Sequence, residues 1–420
     1  ADNVKGDGSG QPFEPSALGK ILNEHKGKEV ALKFGKMRDE LTDLSYCFAG
    51  CASLAVAPEI PASVKIMRGC FAGCEKLTEA PAIPANVTDM QSCFAGCKKL
   101  TKVPPLPASI TNMRECFSNC GKLTEAPKIP ANVQDMSGCF SSCAHLEQPP
   151  AIPGSVKDMS DCFAGCKKLA RAPVIPDGVT NMSGCFYNCK KLTQAPKIPQ
   201  SVLDMSKCFY GCENMPSPPR LPTRVTNISG CFQGCSSLLF APEIPSSVKK
   251  AAYCFDGCIR LTHAPALPEG ITDLWNCFAD CKNLIQAPKI PESVQNLTGC
   301  FSGCISLTNA PTLPEHITNM RSCFSGCKNL TQVPVLPASV TNLYRAFNGC
   351  AKLPSVTLKC NYNSESLRGQ DASPFLAFGE TFTGCSRLTA GSIKVPAGQL
   401  ETYKNNAAKM GAQPAWFAAK

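Results

Sequence analysis

Cysteine pairs are the side chains of this 420-residue chain with the most chemistry to offer. The chain has 29 cysteines, and most of them recur as C-x3-C pairs at an interval of 23 residues. Thirteen pairs follow one another without a slip in register: Cys47 and Cys51, Cys70 and Cys74, Cys93 and Cys97, Cys116 and Cys120, Cys139 and Cys143, Cys162 and Cys166, Cys185 and Cys189, Cys208 and Cys212, Cys231 and Cys235, Cys254 and Cys258, Cys277 and Cys281, Cys300 and Cys304, Cys323 and Cys327. Cysteines at this density can bind metal, act as nucleophiles, form disulfides or fill a core.

Neither metal binding nor catalysis suits this pattern. A zinc site needs Cys or His ligands that converge on one point, whereas these pairs are evenly spaced and the chain has only 4 His. A catalytic thiol should stand apart from its neighbours in context, and none of these does. The histidines His25, His145, His263 and His316 lie in dissimilar contexts, from which no nucleophile, base and oxyanion group can be assembled. We therefore expect no metal, no cofactor and no enzyme activity.

Two structural interpretations of the pairs remain. Each pair either closes a disulfide within its own repeat or forms two buried thiols that behave as small hydrophobic residues. Cys350 and Cys385 occur in "AFNGC" and "TFTGC" without a leading partner, so the second position is a core site in its own right. Wherever the leading cysteine occurs, the second does too. In an exported protein this co-occurrence favours intra-repeat disulfides.

The 23-residue period predicts the fold. Counted from the leading cysteine, apolar residues recur at positions 1, 2, 5, 8, 11, 14, 18 and 21, as in "CFAGCKKLTKVPPLPASITNMRE" from Cys93 to Glu115. This spacing is neither a sustained helical period nor a strand alternation, and one unit buries too little apolar surface to fold alone. The units must therefore stack. We predict a repeat solenoid with its core on the coil axis and a cap at each end.

Other repeated positions predict the local backbone. Prolines at positions 12 and 15 indicate an extended segment without a regular ladder. The proline-free segment "ITNMREC" is predicted to form one short parallel strand per unit, and "CFAGCKKL" a short helical turn. Asp or Asn at position 20, interrupted only by Ile66 and Lys250 in the repeats, is predicted to cap backbone groups at the bend.

These phrases also carry a family resemblance. The segment "AFNGCAKLPSVTL" and the repeated CF-xx-C-xx-L, followed by a proline-ended segment and V-T-N-M, resemble the BspA-like leucine-rich repeats of the treponeme type, over roughly residues 40 to 400. The resemblance implies a solenoid of the leucine-rich-repeat type. It also implies a secreted or outer-surface protein of a host-associated bacterium, an adhesin toward host matrix, host cells or other bacteria. The alternative function is a structural spacer or stalk with no specific ligand.

The chain is predicted to have five segments. They are a flexible leader (1–14), an N-terminal cap (15–46), thirteen repeats (47–345), irregular closing repeats with a polar insertion (346–396), and a C-terminal helix and tail (397–420). No apolar run approaches the length of a membrane span. The resemblance implies an extracellular or outer-surface protein. Because the N-terminal residues lack the features of a signal peptide, we expect that the signal of an exported protein has already been removed.

Candidate ligand-binding residues are bulky side chains that break the consensus at surface positions. They are Phe240, Lys250, Tyr253, His263, Trp275 and Tyr344. Aromatic side chains with cations nearby often anchor binding patches; the alternative is sequence drift at a tolerant surface. The family resemblance implies protein or glycan ligands on host or bacterial surfaces. Nucleic acid is not an expected partner, although the net charge is +10, because the basic residues are not interleaved with exposed aromatic ones.

Overall fold

The computed structural model describes residues 20–22, 24, 30–31, 41–368 and 374–420. The predicted leader, most of the predicted N-terminal cap and part of the polar insertion lie outside these residues. The chain divides into two compact units, Ala1–Asn214 and Met215–Lys420. Each unit contains consecutive coils of 23 residues.

Regular strands lie near the ends of the described chain. In the first unit, β1 (Val30–Ala31) pairs in parallel with β2 (Leu54–Val56). In the second unit, three strands form a parallel sheet in the order β3-β6-β7, and two form an antiparallel hairpin. Their bounds are β3 Val356–Thr357, β4 Ser366–Arg368, β5 Pro374–Leu376, β6 Ile393–Val395 and β7 Phe417–Ala419.

Coils within the repeats are joined by single parallel bridges. These bridges recur at position 20, for example between Ile66 and Asp89, and in some repeats at position 10, for example between Glu79 and Lys102. The predicted parallel pairing at "ITNMREC" is therefore present, but it is reduced to one residue per coil. The bridges continue through Ile66 and Lys250, where the Asp/Asn series is interrupted; this is possible because the backbone, not the side chain, forms them.

The segment predicted as a helical turn is instead a series of tight turns. Within it, Ala72 N–H donates to the carbonyl of Gly69 at 3.0 Å, and Cys74 N–H to that of Phe71 at 3.1 Å. Positions 23 and 4 have positive φ, +54° at Gly69 and +74° at Gly73. Because a left-handed residue interrupts the right-handed backbone at both positions, a helix cannot propagate.

The same turns aim backbone donors at the next coil. Gly69 N–H donates to Gln91 at 2.8 Å, and Phe71 N–H donates to Cys93 at 2.8 Å. Equivalent bonds recur one repeat further on, such as Phe94 N–H to Cys116 at 2.8 Å. Neighbouring coils are thus held in register by their backbone.

The core is built from columns of identical side chains. Phenylalanines at position 2 stack from Phe48 to Phe209 in the first unit and from Phe232 to Phe382 in the second, with neighbouring ring centroids 5.3 to 5.9 Å apart. The cysteines at positions 1 and 5 and the Leu or Met at position 8 are also buried. Burial of these positions matches the apolar pattern of the sequence.

The last coil is covered by the C-terminal segment. The helix α1 (Leu400–Asn405) lies between the 3-10 turns Ala397–Gln399 and Ala407–Met410, and a further 3-10 turn spans Pro414–Trp416. Tyr403 is fully buried. The N–H groups of Glu380 and Phe382 donate to the carbonyls of Lys409 and Met410, both at 2.8 Å. These carbonyls take the place that a further coil would occupy.

Candidate functional site

Half-buried aromatic and arginine side chains form one surface feature of the second unit, which we call the aromatic strip. Its residues are Tyr253, Trp275, Arg321, Tyr344 and Phe375. The first four occupy positions 22 and 23 of their repeats, so the 23-residue period brings them to the same side of the stacked coils. Phe375 belongs to β5 of the hairpin.

Backbone hydrogen bonds fix the spacing of the aromatic strip. Tyr253 N–H donates to the carbonyl of Trp275 at 2.7 Å. In later coils, Gly299 N–H donates to Arg321 at 2.8 Å, and Ser322 N–H donates to Tyr344 at 2.8 Å. The side chains therefore project from a backbone whose geometry does not depend on their identity.

The Asp or Asn at position 20 orients the backbone of position 22. The side-chain Oδ1 of Asp273 accepts from Trp275 N–H at 3.3 Å, and that of Asn319 accepts from Arg321 N–H at 3.0 Å. The Oδ1 of Asn342 likewise accepts from the next strip residue, Tyr344, at 3.1 Å. This is the capping predicted for position 20.

Tyr253 and Trp275 line a depression of about 370 Å³. Their ring centroids lie 5.5 Å apart at an interplanar angle of 45°. The other lining residues are Asn276, Thr298, Gly299, Ser302, Arg321 and Ser322. The depression thus combines two aromatic faces with hydroxyl groups, an amide and one guanidinium.

The hairpin closes the other end of the aromatic strip. Phe375 packs on Tyr344 with centroids 4.5 Å apart. The guanidinium carbon of Arg321 lies 4.5 Å from the Phe375 ring centre and 5.7 Å from that of Tyr344. Arg345 lies 5.0 Å from the Tyr344 ring centre and forms an ion pair with Glu380 at 2.9 Å. The hydrogen bond to Glu380 raises the pKa of Arg345 above its ordinary value.

Three of the six predicted ligand-binding residues lie outside the aromatic strip. Lys250 is exposed, and its backbone forms the position-20 bridges to Asn227 and Asp273. Phe240 is 54% exposed at position 10. His263, also at position 10, lines a different depression of about 320 Å³ beside a proline segment. The structure thus brings Tyr253 and Trp275 into contact, and it places Tyr344 three repeats further along the same edge of the coils. The other three lie on other parts of the coils.

Sequence reasoning missed several aromatic and cationic positions. Arg321 shares position 22 with Trp275, so alignment of the repeats could have found it. Tyr187 and Tyr210, both at position 3, stack in the first unit with centroids 4.4 Å apart, and the same alignment would have shown them. Phe375 gave no such signal because the insertion that contains it breaks the period.

The structure holds all 29 cysteines as buried thiols. The thiol at position 5 donates to the carbonyl of the Phe in the preceding coil, as from Cys97 to Phe71 at 3.2 Å. Cys350, which has no leading partner, makes the same contact with Phe324 at 3.1 Å. Burial raises the pKa of Cys143 to about 12, so this thiol is protonated at neutral pH. The intra-repeat disulfides stay a prediction.

The side chains of the aromatic strip are suited to binding a ligand. Within the described chain, no group of three or more His, Cys, Asp or Glu is placed to hold a metal ion. No helix among the described residues is both long and apolar enough to cross a membrane. Stacked aromatic faces and a guanidinium can hold a ligand without reacting with it.

Comparison with known proteins gives the family. A leucine-rich repeat protein from Bacteroides ovatus has a crystal structure that is 22% identical to this chain, with 90% of this chain and 87% of that one covered and a TM-score of 0.57. A leucine rich cell surface protein from Faecalibacterium prausnitzii is 23% identical, over 76% of this chain and 83% of that one, with a TM-score of 0.45. The T. pallidum leucine rich repeat protein is 22% identical, over 56% of this chain and 79% of that one, with a TM-score of 0.24.

No curated protein matches the sequence. The BspA type leucine rich repeat region matches residues 44–170, 137–263 and 274–367, which together cover most of the chain. The fold and the repeat pattern agree with this match. The chain belongs to the BspA type leucine-rich repeat family.

Proposed function

We propose that this protein is a non-enzymatic bacterial adhesin, secreted or held at the cell surface, that binds protein or glycan ligands of host matrix, host cells or other bacteria through the aromatic strip. The observation that carries the proposal is the depression in which Tyr253, Trp275 and Arg321 converge. Half-buried aromatic rings beside a cation are typical anchors of binding sites.

Family membership supports the same function. Proteins with BspA-type repeats are typically bacterial surface proteins and typically not enzymes, which agrees with a chain whose conspicuous side chains form a binding surface. The columns at positions 22 and 23 are elsewhere mostly small or polar. A cluster of large side chains there is unnecessary for stacking, since the backbone ladder is the same in repeats that lack it.

The test replaces strip residues by residues that the same columns already contain. Trp275→Ser introduces the residue found at position 22 in Ser137, and Tyr253→Ser the residue found at position 23 in Ser92. Ser92 has a φ of +52°, close to the +57° of Tyr253, so the turn is preserved. Phe240→Ser is the matched control, because it removes an exposed aromatic ring outside the aromatic strip.

The readout is binding of the full chain to immobilised matrix proteins, glycans and bacterial cells, alongside thermal unfolding. We expect the double variant Tyr253→Ser, Trp275→Ser to lose at least tenfold in affinity and to unfold within a few degrees of the unchanged chain. The control should bind normally. Failure of the unchanged chain to bind any of these surfaces would favour a structural spacer, and unaltered binding by the double variant would discard the aromatic strip as the site.

A further inference from the structure

Arginines at the coil edge of positions 22 and 23 are held in two different ways. Arg68 pairs with Asp89 at 2.6 Å, and Arg114 lies 3.6 Å from Glu115. The ion pair and hydrogen bond with Asp89 raise the pKa of Arg68 above its ordinary value. These arginines are neutralised by carboxylates of the chain itself.

Arg321 occupies position 22 as Arg68 and Arg114 do, but its surroundings differ. Its guanidinium lies over the rings of Phe375 and Tyr344, at 4.5 and 5.7 Å. Within the described part of the chain, no carboxylate lies within ion-pair distance of this guanidinium. The two rings restrict the side chain without neutralising its charge. Because no carboxylate of the described residues pairs with it, its N–H donors are suited to an anion.

The depression around this charge has the dimensions and groups of a sugar site. Its volume of about 370 Å³ lies at the lower end of the range for small-molecule sites. Two aromatic faces, Tyr253 and Trp275, can pack against the apolar face of a sugar ring. Asn276 and Ser322 line the same depression, and they supply donors and acceptors for sugar hydroxyls.

We propose that this depression binds a carboxylated sugar, such as a sialic or uronic acid. Arg321 then pairs with the carboxylate, and the rings of Tyr253 and Trp275 cover the pyranose. Arginine suits this role because its planar fork donates two parallel hydrogen bonds to a carboxylate. The inference rests on the proposed function, since it names the chemical class of ligand for the same surface.

The test compares sugars that differ in one charge. Sialyllactose and a glucuronic acid disaccharide are titrated into the full chain by calorimetry, each beside its carboxamide derivative, and lactose serves as the neutral sugar. Arg321→Gln introduces the residue that position 22 contains in Gln91. Arg114→Gln makes the same change at the same repeat position, away from the aromatic strip.

We expect at least one acidic sugar to bind, and to bind at least tenfold more tightly than its carboxamide. Arg321→Gln should remove that difference, Arg321→Lys should restore part of it, and Arg114→Gln should leave it unchanged. Affinity should fall as salt is raised, since the pair is partly exposed.

Other results would overturn the assignment in distinguishable ways. Equal binding of acid and carboxamide would exclude the carboxylate role of Arg321, while dependence on Trp275 would still support the aromatic strip as the binding site. Absence of sugar binding together with Trp275-dependent binding of a matrix protein would exclude the sugar and leave the adhesin function standing. If no ligand of any class depends on Trp275, the proposed site fails as well.

Discussion

Alkaline pH should unfold the reduced protein cooperatively, because its thiols are buried in the protonated form. The pKa values of Cys143 and Cys189 are raised to about 12 by burial, and that of Cys116 is raised by burial and by neighbouring cysteines. An exposed thiol titrates near pH 8.5. Since the folded-state pKa is the higher one, the stability linked to each thiol is fully present below about pH 8.5 and is lost as the pH rises toward the folded pKa.

The size of this loss of stability depends on the number of thiols that are buried in the folded chain and ionise when it unfolds at alkaline pH. Each thiol with an unfolded pKa near 8.5 lowers the free energy of unfolding by about 0.4 kcal/mol at pH 8.5 and by about 1.4 kcal/mol at pH 9.5. Six repeats of the first unit, from Cys70 to Cys189, contain twelve paired cysteines whose pKa is raised. Together they remove about 5 kcal/mol at pH 8.5 and about 17 kcal/mol at pH 9.5, whereas a typical domain has about 5–15 kcal/mol in total.

The assay is a far-ultraviolet circular dichroism titration of the protein, reduced and kept free of oxygen, from neutral pH to about pH 10.5. We expect the folded signal to be lost between about pH 8.5 and pH 9.5, and to return when the sample is brought back to neutral pH. In parallel, thiols are counted in denaturant without reductant. A chain of 29 cysteines yields 29 thiols if none is bridged, and 3 if the 26 paired cysteines form disulfides (29 − 26 = 3).

Two results have clear and different meanings. A count near 29 with structure that persists to about pH 10.5 would refute the burial reasoning. Thiols that are buried and protonated in the folded chain but ionise in the unfolded chain must lower the free energy of unfolding as the pH rises. A count near 3 would establish the intra-repeat disulfides, and the oxidised protein should then lack the alkaline transition that reduction restores. The intra-repeat disulfides expected from the sequence correspond to the lower count. The hydrogen bond from Cys385 to the Phe347 carbonyl at 3.1 Å shows only that position 5 is buried where the leading cysteine is absent.

Two further predictions concern the core and a half-buried carboxylate. Phe278→Ala removes a fully buried ring and should lower the free energy of unfolding by about 3–5 kcal/mol. Phe240→Ala, at a ring that is 54% exposed, should change it by less than about 0.5 kcal/mol. Urea unfolding compares the two variants, and equal effects would contradict a core built from columns of stacked phenylalanines. Asp256, which accepts from Gln233 at 2.8 Å, has its pKa raised to about 6 by burial and by Asp280, so its ionisation disfavours folding increasingly from about pH 4 to pH 6 and fully above that. Asp256→Asn should therefore add about 1–2 kcal/mol of stability at pH 7.5 and almost none at pH 4, and a gain of equal size at both values would contradict the titration.

The core was predictable because stacking places each repeat position next to the same position of the neighbouring coil. Once the period is known, a side chain that recurs at position 2, such as Phe94, must meet its counterpart in the next coil, and the structure places them 5.7 Å apart. Local backbone was less predictable. Glycine at position 4, as in Gly73, signals a left-handed turn, but Asn119 and Asp280 occupy the same conformation and conceal the signal. A helical turn was therefore expected where left-handed residues at positions 23 and 4, such as Gly69 and Gly73, form tight turns.

The candidate site was predictable to the extent that it follows the columns. Trp275 and Tyr344 stand out at position 22 because the consensus there is small or polar. The arrangement that makes Arg321 distinctive depends on Phe375, and nothing in the period indicates that the hairpin returns its ring to within 4.5 Å of that guanidinium. Contacts made by an insertion depend on its own pairing, here Leu367 with Phe375 in an antiparallel register, and the repeat pattern carries no information about it.

The fold and the binding surface depend on different groups, because the coil edge is held mainly by backbone hydrogen bonds. The coil edge at positions 22 and 23 is held by backbone bonds and by the Asp or Asn at position 20, as where Asn319 fixes the N–H of Arg321. Side chains at position 22 can therefore change with little cost to stacking, whereas position 23 has a left-handed backbone, as at Gly69, and is more restricted. A change at Phe278, by contrast, opens a cavity in the core. Binding specificity can therefore be altered one repeat at a time. By the same reasoning, Ser183→Trp, at position 22 of the first unit, should be tolerated by the fold, because Asn181 Oδ1 accepts from the backbone N–H of that residue at 3.0 Å. Thermal unfolding within a few degrees of the unchanged chain would confirm this, and a large loss of stability would contradict it.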